Sequence, residues 1–522
     1  MYKRVYGARE LCAVDPTLLG NSAQVERLAV GDPVRAFQRV CIKPRVLPGA
    51  FREERQRAQR YYGLGMLAQP ARRAICCLAV EGGGEKIEGL LNREPFSRYT
   101  ENGLTVLLYD EAQSEAWRAE IERILAESGL CAGLSGPFAL AVSARGRFPK
   151  ARIALETGRA VDPGRALYDM GTYSEAALLR AARTALGAQG FRASDFGDAA
   201  IEALARLDER EDAQYIRSLR AYLSDGLNLR RAAERLGVHR NTLAYRMRRI
   251  EARFALDLSD MNTCFELLFS LWLKEGMGGR ADDEPTAAFD RDAARAALWR
   301  SAERAGNAAR TEERFPLALA AVAAGGLSDA RRAELTLALS ALPQKPVTAF
   351  DDETLFFALP PEEIGAFAEA ARPLCEAARA GMAVSQTFAL DRLSAQIRLC
   401  RFALLAAGTQ TVFMREIGST LFFTALERRV SLAPYLCEDV IRVMDEDATR
   451  GSALSRSLYA YLLNFMDLKK AAQQLGIHRN TLEYQVRKMN AVIGGQPDEQ
   501  KRFMMMCTYK MLALPDAGVP EL

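Results

Sequence analysis

One short phrase occurs twice in this chain, at a spacing of nearly half its length. The phrase reads GVHRNTLAY at residues 237–245 and GIHRNTLEY at residues 476–484, and it holds both histidines of the 522-residue sequence. His478 follows His239 at an offset of 239 residues. A repeat this sharp indicates that a whole module is duplicated, so the fold is expected to contain the same arrangement twice.

The residues around each copy predict a helix, a tight corner and a second helix. Asn228 is a good N-cap for the first helix, and the small pair Ala232-Ala233 permits close crossing by the second. Gly237 supplies the positive φ that a short corner needs. An i, i+4, i+7 spacing then predicts a buried stripe of Leu243, Met247 and Ile250. The equivalents in the second copy are Asp467, Ala471, Ala472, Gly476, Leu482, Val486 and Met489.

The opposite face of the second helix carries side chains suited to DNA. A guanidinium can pair with guanine or phosphate, and an asparagine amide with adenine. This pattern is typical of a helix-turn-helix whose second helix enters the major groove. The predicted DNA-binding residues of the first copy are His239, Arg240, Asn241, Thr242, Tyr245, Arg246, Arg248 and Arg249. Those of the second copy are His478, Arg479, Asn480, Thr481, Tyr484, Arg487 and Lys488.

Each histidine begins the second helix of its copy. A side-chain acceptor there can cap free backbone N–H groups, so capping or a phosphate contact is expected of His239 and His478. A metal-binding role is not expected, because neither histidine has partner ligands nearby in the sequence.

Local charge favours nucleic acid, although the whole chain has a net charge of only +4. Residues 217–253 hold ten basic and three acidic side chains, and residues 456–490 hold six and two. A single basic helix is usually a solvated structural face, but the corner glycine, small pair, stripe and repeat together favour DNA binding. Glu483 and Gln485 stand where the first copy has Ala244 and Arg246. The second copy is therefore expected to read a different half-site, to bind more weakly, or no longer to bind DNA.

Upstream of each phrase, strand and helix patterns follow the same order. Apolar runs at 75–80 and 103–109 correspond to runs at 317–322 and 353–359 and predict strands. Helices are predicted between and after the strands, with glycines 158 and 408 closing equivalent helices. The predicted class is α+β, with two sheet domains that are each followed by an all-α helix-turn-helix domain. The predicted domains are an unassigned segment at 1–70, a sheet domain at 71–173, a helical domain at 174–275, a linker with a helix at 276–312, a second sheet domain at 313–418 and a second helical domain at 419–522.

The run AAERLGVHRNTLAYR at residues 232–246 resembles the C-terminal helix-turn-helix of PucR/CdaR-type transcriptional regulators. The sheet segments resemble the divergent GGDEF-like, ferredoxin-like domain that precedes it in that family, through strand order and the run SGPF at 135–138. The resemblance implies a DNA-binding regulator of transcription. This chain departs from the family pattern in two ways. It carries two sets of sheet domain and helix-turn-helix, and it has no recognisable N-terminal ligand-sensing domain, which leaves the effector open.

The sheet domains are not expected to be catalytic. GGDEF cyclases need a glycine-rich hairpin and carboxylates for Mg²⁺, whereas the hairpin positions read YTENGL at 99–104 and FDDETL at 350–355. The acidic trio at 351–353 is interpreted as a solvated turn, and EGGGE at 81–85 as a loop that lacks the lysine of a P-loop. The ten cysteines form no C-x-x-C pair, so no metal or cofactor is predicted.

The chain is predicted to be cytoplasmic, with no signal peptide and no membrane span, because its longest apolar run, at 317–324, is too short to cross a bilayer. The predicted partner is double-stranded DNA, read as half-sites by the two helix-turn-helix units acting as a pseudo-dimer. The prediction leaves room for a small-molecule effector and for a homodimer. One alternative is a protein-interaction or ligand-sensing scaffold in which one or both units no longer bind DNA. A second is a nucleotide-processing enzyme.

Overall fold

The computed structural model describes residues 75–81, 97–101, 104–110, 115–138, 147–211, 213–277, 288–303 and 315–514. Three sequence predictions lie outside the described residues: a basic helix that the run FREERQRAQRYY predicts at 51–62, the glycine-rich loop after Glu81 and most of the linker after Met277. The described residues form two mixed sheets and eighteen α-helices, which confirms the α+β class.

The first sheet lies in the first half of the chain. Its strands are β1 (Ile75–Glu81), β2 (Ser97–Glu101), β3 (Leu104–Asp110), β4 (Ala132–Phe138) and β5 (Leu167–Asp169). Their order in the sheet is β2-β3-β1-β4-β5, with β1 antiparallel to β3 and β4, and β4 parallel to β5. The helices between these strands are α1 (Glu115–Glu127) and α2 (Arg147–Val161). The apolar face of α1 is buried at Ile121, Ile124 and Leu125.

Six helices follow the first sheet along the chain. They are α3 (Met170–Gly187), α4 (Ala199–Glu211), α5 (Tyr215–Ser224), α6 (Leu229–Leu236), α7 (Arg240–Phe254) and α8 (Met261–Met277). Short 3-10 turns join some of them, one of which covers Ala193–Asp195.

The second sheet repeats the topology of the first. Its strands are β6 (Pro316–Ala323), β7 (Val347–Phe350), β8 (Thr354–Leu359), β9 (Met382–Val384), β10 (Phe388–Ala389) and β11 (Thr411–Phe413). Their order is β7-β8-β6-β9-β11, with β10 paired to β6, and only β9 and β11 run parallel among the described pairs. The helices of this region are α9 (Arg291–Glu303), α10 (Asp329–Ser340), α11 (Ile364–Ala378) and α12 (Leu393–Ala407). Apart from the small β10, strand order and direction match the first sheet, as the sequence repeat predicts.

The second helical region completes the described chain. Its helices are α13 (Gly418–Glu427), α14 (Glu438–Arg450), α15 (Leu454–Leu463), α16 (Leu468–Leu475), α17 (Arg479–Ile493) and α18 (Glu499–Leu512), with a 3-10 turn at Ala433–Tyr435 before α14.

One of the two predicted glycine helix ends is wrong. Gly408 ends α12 with a φ of +60°, as expected. Gly158, in contrast, lies inside α2, which continues to Val161. A Cβ at Gly158 would lie 2.0 Å from Cδ1 of Tyr168, so this glycine allows α2 to pack closely against the ring that follows it.

The chain forms two compact units, and each unit combines a sheet from one half of the sequence with a helical region from the other. One unit contains the described residues up to Ala182 together with Val430–Leu514, and the other contains Arg183–Arg429. The order along the sequence predicts that each sheet stays with the helical domain that follows it. In the structure α13 and most of α3 stay with the sheet that precedes them, and the other helices of each region belong to the unit that contains the sheet of the other half.

A buried ion pair joins sheet and helical region within each unit. In the first unit, Lys150 on α2 donates from Nζ to the Leu436 carbonyl and the Glu438 carboxylate, both at 2.9 Å. In the second unit, Arg392, immediately before α12, pairs with Asp195, whose side chain is 2% exposed. In both cases the basic residue belongs to the sheet domain and the acidic residue to the helical region.

Candidate nucleic-acid interface

The first helix-turn-helix is formed by α6 and α7, which pack on α5. The Asn228 side chain caps α6 by accepting from the backbone N–H groups of Arg230 and Arg231, both at 3.1 Å. Gly237 ends α6 with a φ of +67°, the left-handed conformation expected of the corner. Both sequence predictions are confirmed, and together they fix the direction in which the chain enters α7.

His239 is the N-cap of α7. Its Nδ1 accepts from the backbone N–H of Asn241 at 3.2 Å, which confirms the expected capping role. His478 makes the same contact with the backbone N–H of Asn480, also at 3.2 Å. Because Nδ1 accepts, the ring proton is assigned to Nε2, which leaves an N–H that can donate to an acceptor outside the helix.

The predicted buried stripe holds α7 against its neighbours. Its three members are at most 4% exposed, namely Leu243, Met247 and Ile250. Ala232 and Ala233 on α6 are equally buried, and their small side chains allow α7 to cross closely. The stripe fixes the rotation of α7 about its axis, so the residues on the other side of the helix face outward.

That outward face of α7 is basic and aromatic. Its exposed members are Arg240, Asn241, Thr242, Tyr245, Arg248 and Arg249. Tyr245 is 55% exposed, which is unusual for so large a ring and offers an apolar surface with a hydroxyl tip. The Arg249 guanidinium carbon lies 5.8 Å from the ring centroid of Tyr215 and 5.9 Å from that of Tyr245, which restrains its position.

The second copy has the same local structure. Asp467 caps α16 by accepting from the backbone N–H groups of Lys469 and Lys470, at 2.8 and 3.1 Å. Gly476 ends α16 with a φ of +67°. The buried contacts between α16 and α17 are made by Ala471, Ala472 and Leu482, with Ile477 and Val486 packed against them.

The outward face of α17 retains most of the side chains of the first copy. Its exposed members are Arg479, Asn480, Thr481, Tyr484 and Arg487, and Lys488 is half-buried. Tyr484 is 67% exposed and occupies the position of Tyr245. The structure thus brings the predicted residues of each copy together on one face, with a single exception in the first copy.

That exception is Arg246. Its Nη1 donates at 2.8 Å to Oγ of Ser218 on α5, a residue with no exposed surface, so this guanidinium is held against the helical region. In the second copy, Oε1 of Gln485 accepts from Oγ of Ser457 at the same distance. The sequence contained a signal for this direction, because Arg246 follows Leu243 by three residues and precedes Ile250 by four, which places it beside the buried stripe.

Two basic positions on the outside of the first helix were not among the sequence-predicted residues. Arg231 and its equivalent Lys470 are exposed in the first turns of α6 and α16, three residues after the N-caps. In helix-turn-helix proteins the first helix crosses the phosphate backbone, where a basic side chain and a helix N-terminus both favour phosphate. The sequence could have indicated both residues, since each follows a capping Asn or Asp by three positions and therefore lies in the first turn of its helix.

The remaining predictions concern sites of other kinds. Asp351, in the hairpin turn of the second sheet, accepts from the backbone N–H groups of Glu353 and Thr354 and from Arg401, so it stabilises the turn. Within the described ranges no cluster of three or more His, Cys, Asp or Glu side chains could hold a metal ion. None of the described helices is long and apolar enough to cross a membrane.

Comparison with known proteins identifies the two helix-turn-helix regions. The family described as "PucR C-terminal helix-turn-helix domain" matches residues 215–273 and 454–506. The proline-responsive transcriptional activator PutR of Bacillus subtilis (strain 168) is 36% identical over 66 residues, which is 13% of this chain and 16% of that protein. This chain therefore spans about a sixth of that relative. Both matched segments are helix-turn-helix domains of the PucR type.

One solved structure is also similar over a large part of its length. It is a regulator of polyketide synthase expression from Bifidobacterium adolescentis, 14% identical, covering 44% of this chain and 95% of that chain, with a TM-score of 0.20. At that TM-score the similarity carries no argument about fold or function.

Proposed function

We propose that the chain is a DNA-binding regulator of transcription in which α7 and α17 each enter the major groove at one half-site. The observation that supports this most directly is that both helices present the same arginine, asparagine, threonine and tyrosine outward from a PucR-type corner. The proposal takes the sheet domains to be non-catalytic and to hold the helical regions.

The chemistry of each face suits the major groove. The first residues of a recognition helix contact base edges, and here these are Arg240 with Asn241 in the first copy and Arg479 with Asn480 in the second. An arginine fork pairs with O6 and N7 of guanine, and an asparagine amide with N6 and N7 of adenine. The exposed tyrosine one turn later can contact a thymine methyl group or a phosphate.

Phosphate contacts would set the position of each helix on the duplex. Arg231 or Lys470 in the first turn of the first helix supplies a positive charge for phosphate. Nε2 of His239 or His478 supplies a further donor at the start of the second helix. In this proposal Arg246 binds no DNA and instead holds α7 against α5 through Ser218.

The proposal is tested with the intact chain and fragmented genomic DNA. We expect the wild-type chain to retain a limited set of fragments, and the variant Arg240→Ala/Asn241→Ala/Arg248→Ala to bind them at least tenfold more weakly. Its dependence on salt should also become shallower, by about 0.9 in log–log slope for each phosphate that the variant no longer neutralises. Arg295→Ala removes an exposed arginine of α9, outside the helix-turn-helix, and is the matched control.

If the triple variant retains the same fragments with the same affinity and salt slope, α7 does not read DNA. The first helix-turn-helix would then act in a protein-interaction or ligand-sensing scaffold. Footprints on the retained fragments would further show whether one or two half-sites are protected, and how far apart they lie.

A further inference from the structure

The two helix-turn-helix copies differ at several positions, and two of these differences preserve an internal contact. Arg246 donates to Ser218, and Gln485 accepts from Ser457 at the equivalent place. Each pairing keeps one hydrogen bond between the second helix of the unit and the helix beneath it, so the absence of a charge at Gln485 does not alter the DNA-facing surface.

A second pair behaves in the same way. Arg235 forms an ion pair with Asp225 at 3.1 Å in the first copy, and Gln474 bonds to Asn464 in the second. An ion pair has been replaced by an amide pair across the same turn. This exchange leaves the net charge unchanged, whereas the exchange of Arg246 for Gln485 lowers it by one at a position that serves the fold.

The outward face itself differs at two positions: Lys488 replaces Arg249 with no change of charge, and Glu483 adds a carboxylate. Glu483 stands where the first copy has Ala244, and its Oε1 accepts from Nη2 of Arg487 at 2.7 Å. The two residues are one helical turn apart, with side chains 38% and 76% exposed. In the first copy, Arg248 occupies the position of Arg487, and its Nε donates at 3.4 Å to the backbone carbonyl of Ala244.

We infer that Glu483 lowers the DNA affinity of the second helix-turn-helix, by holding Arg487 in an ion pair and by placing a negative charge towards phosphate. The inference rests on the proposed function. To contact DNA, Arg487 must exchange the carboxylate of Glu483 for a phosphate or a guanine, so its net gain is smaller than that of Arg248.

The alternative role for Glu483 is to read a base directly, since a carboxylate can accept a hydrogen bond from N4 of cytosine. In that case its removal would lower affinity for the second half-site. The ion pair with Arg487 favours the first role, since Oε1 of Glu483 already accepts from the Arg487 guanidinium.

The experiment measures DNA binding by the second helix-turn-helix separately, within the intact chain. The background variant is Arg240→Ala/Asn241→Ala/Arg248→Ala, and the DNA is the set of genomic fragments that the wild-type chain retains. On this background we expect Glu483→Ala to raise affinity roughly threefold to tenfold and to steepen the log–log salt slope by about 0.9, the equivalent of one more neutralised phosphate. Glu483→Gln, which keeps the shape and removes the charge, should give a similar gain.

Two further variants complete the test. Arg487→Ala should abolish most of the gain from Glu483→Ala, because the released guanidinium produces it. In the otherwise wild-type chain, Ala244→Glu should weaken DNA binding by the first helix-turn-helix by a similar factor, because the new carboxylate forms the equivalent ion pair with Arg248. Glu483 is on the surface, so circular dichroism should show no change in fold.

The role of Glu483 and the proposed function can fail separately. If the wild-type chain retains no DNA, the proposed function is wrong. If it retains DNA but Glu483→Ala on the triple-variant background leaves the DNA affinity unchanged, or lowers it, the inference about Glu483 is wrong and the proposed function stands.

Discussion

Replacing Arg392 by Met should loosen a helical region that lies almost two hundred residues earlier in the sequence. Arg392 donates from Nε to Oδ1 of Asp195 at 3.1 Å and from Nη2 to the carbonyl of Gly190 at 3.0 Å. The substitution removes the positive charge and leaves the Asp195 carboxylate buried. We expect the loss of stability to be local to the second unit, in the segment from residue 190 to α4.

The size of the expected loss of stability depends on the hydrogen bonds that Asp195 keeps when Arg392 is replaced. Breaking a buried ion pair from one side costs about 3–5 kcal/mol, because the remaining charge stays buried. Asp195 still accepts from the backbone N–H of Arg192 at 2.7 Å and from Nε2 of Gln396 at 3.4 Å. These two donors place the expected cost near the lower end, at about 3 kcal/mol, which corresponds to roughly a hundredfold change in an opening equilibrium.

Hydrogen exchange read by mass spectrometry measures this locally. Amides in peptides covering residues 190–211 should exchange roughly a hundredfold faster in Arg392→Met. Arg295→Ala breaks the exposed pair with Asp292 in the same unit and should change exchange by less than about 0.5 kcal/mol. Asp195→Asn combined with Arg392→Met should recover part of the loss. Unchanged exchange at residues 190–211 in Arg392→Met would refute the pairing of the second sheet domain with the first helical region.

Three further predictions concern single positions. His239→Ala removes the cap of α7 and should destabilise the first helical region by about 1 kcal/mol in denaturant titrations, whereas His239→Asn keeps an acceptor and should cost a few tenths; equal losses would disprove the capping role. Gly158→Ala should cost about 1–3 kcal/mol by its clash with Tyr168, while Gly365→Ala, in open space on α11, should stabilise by about 0.5–1 kcal/mol in thermal unfolding. Burial raises the pKa of Cys400 to about 12, so iodoacetamide at pH 8.5 should leave it unlabelled in the native chain, and labelling as fast as in denaturant would contradict this. The same raised pKa contributes stability below the unfolded thiol's pKa of about 8.5 that is lost as pH rises towards 12.

The local structure of the helix-turn-helix units could be predicted from sequence because each part depends on neighbours within one or two helical turns. Caps at Asn228 and His239, the corner at Gly237 and the buried stripe all follow from short-range spacing, and all are confirmed. The longer strands could be predicted for the same reason, since each is an apolar run bounded by turn residues.

The features that could not be predicted depend on distant contacts. Gly158 has the form of a helix end in the sequence, and only the ring of Tyr168 explains why it lies inside α2. Strands β5 and β11 have three residues each, too few to show a period. The pairing of Lys150 with Glu438 joins residues whose proximity no local pattern encodes.

The way in which the two helix-turn-helix copies differ bears on whether the second is a reader of DNA or a remnant. A buried polar group that loses its partner costs about 1–3 kcal/mol, so unconstrained replacement of Arg235 or Arg246 would leave unpaired groups beneath the recognition helix. Gln474 and Gln485 instead have partners at both places. The outward arginine, asparagine, threonine and tyrosine are also the same in both copies. A helix-turn-helix that retains its internal contacts and most of its outward face, and departs on that face by one carboxylate and by a lysine in place of Arg249, is better explained as a DNA reader with adjusted affinity than as a scaffold that no longer binds DNA.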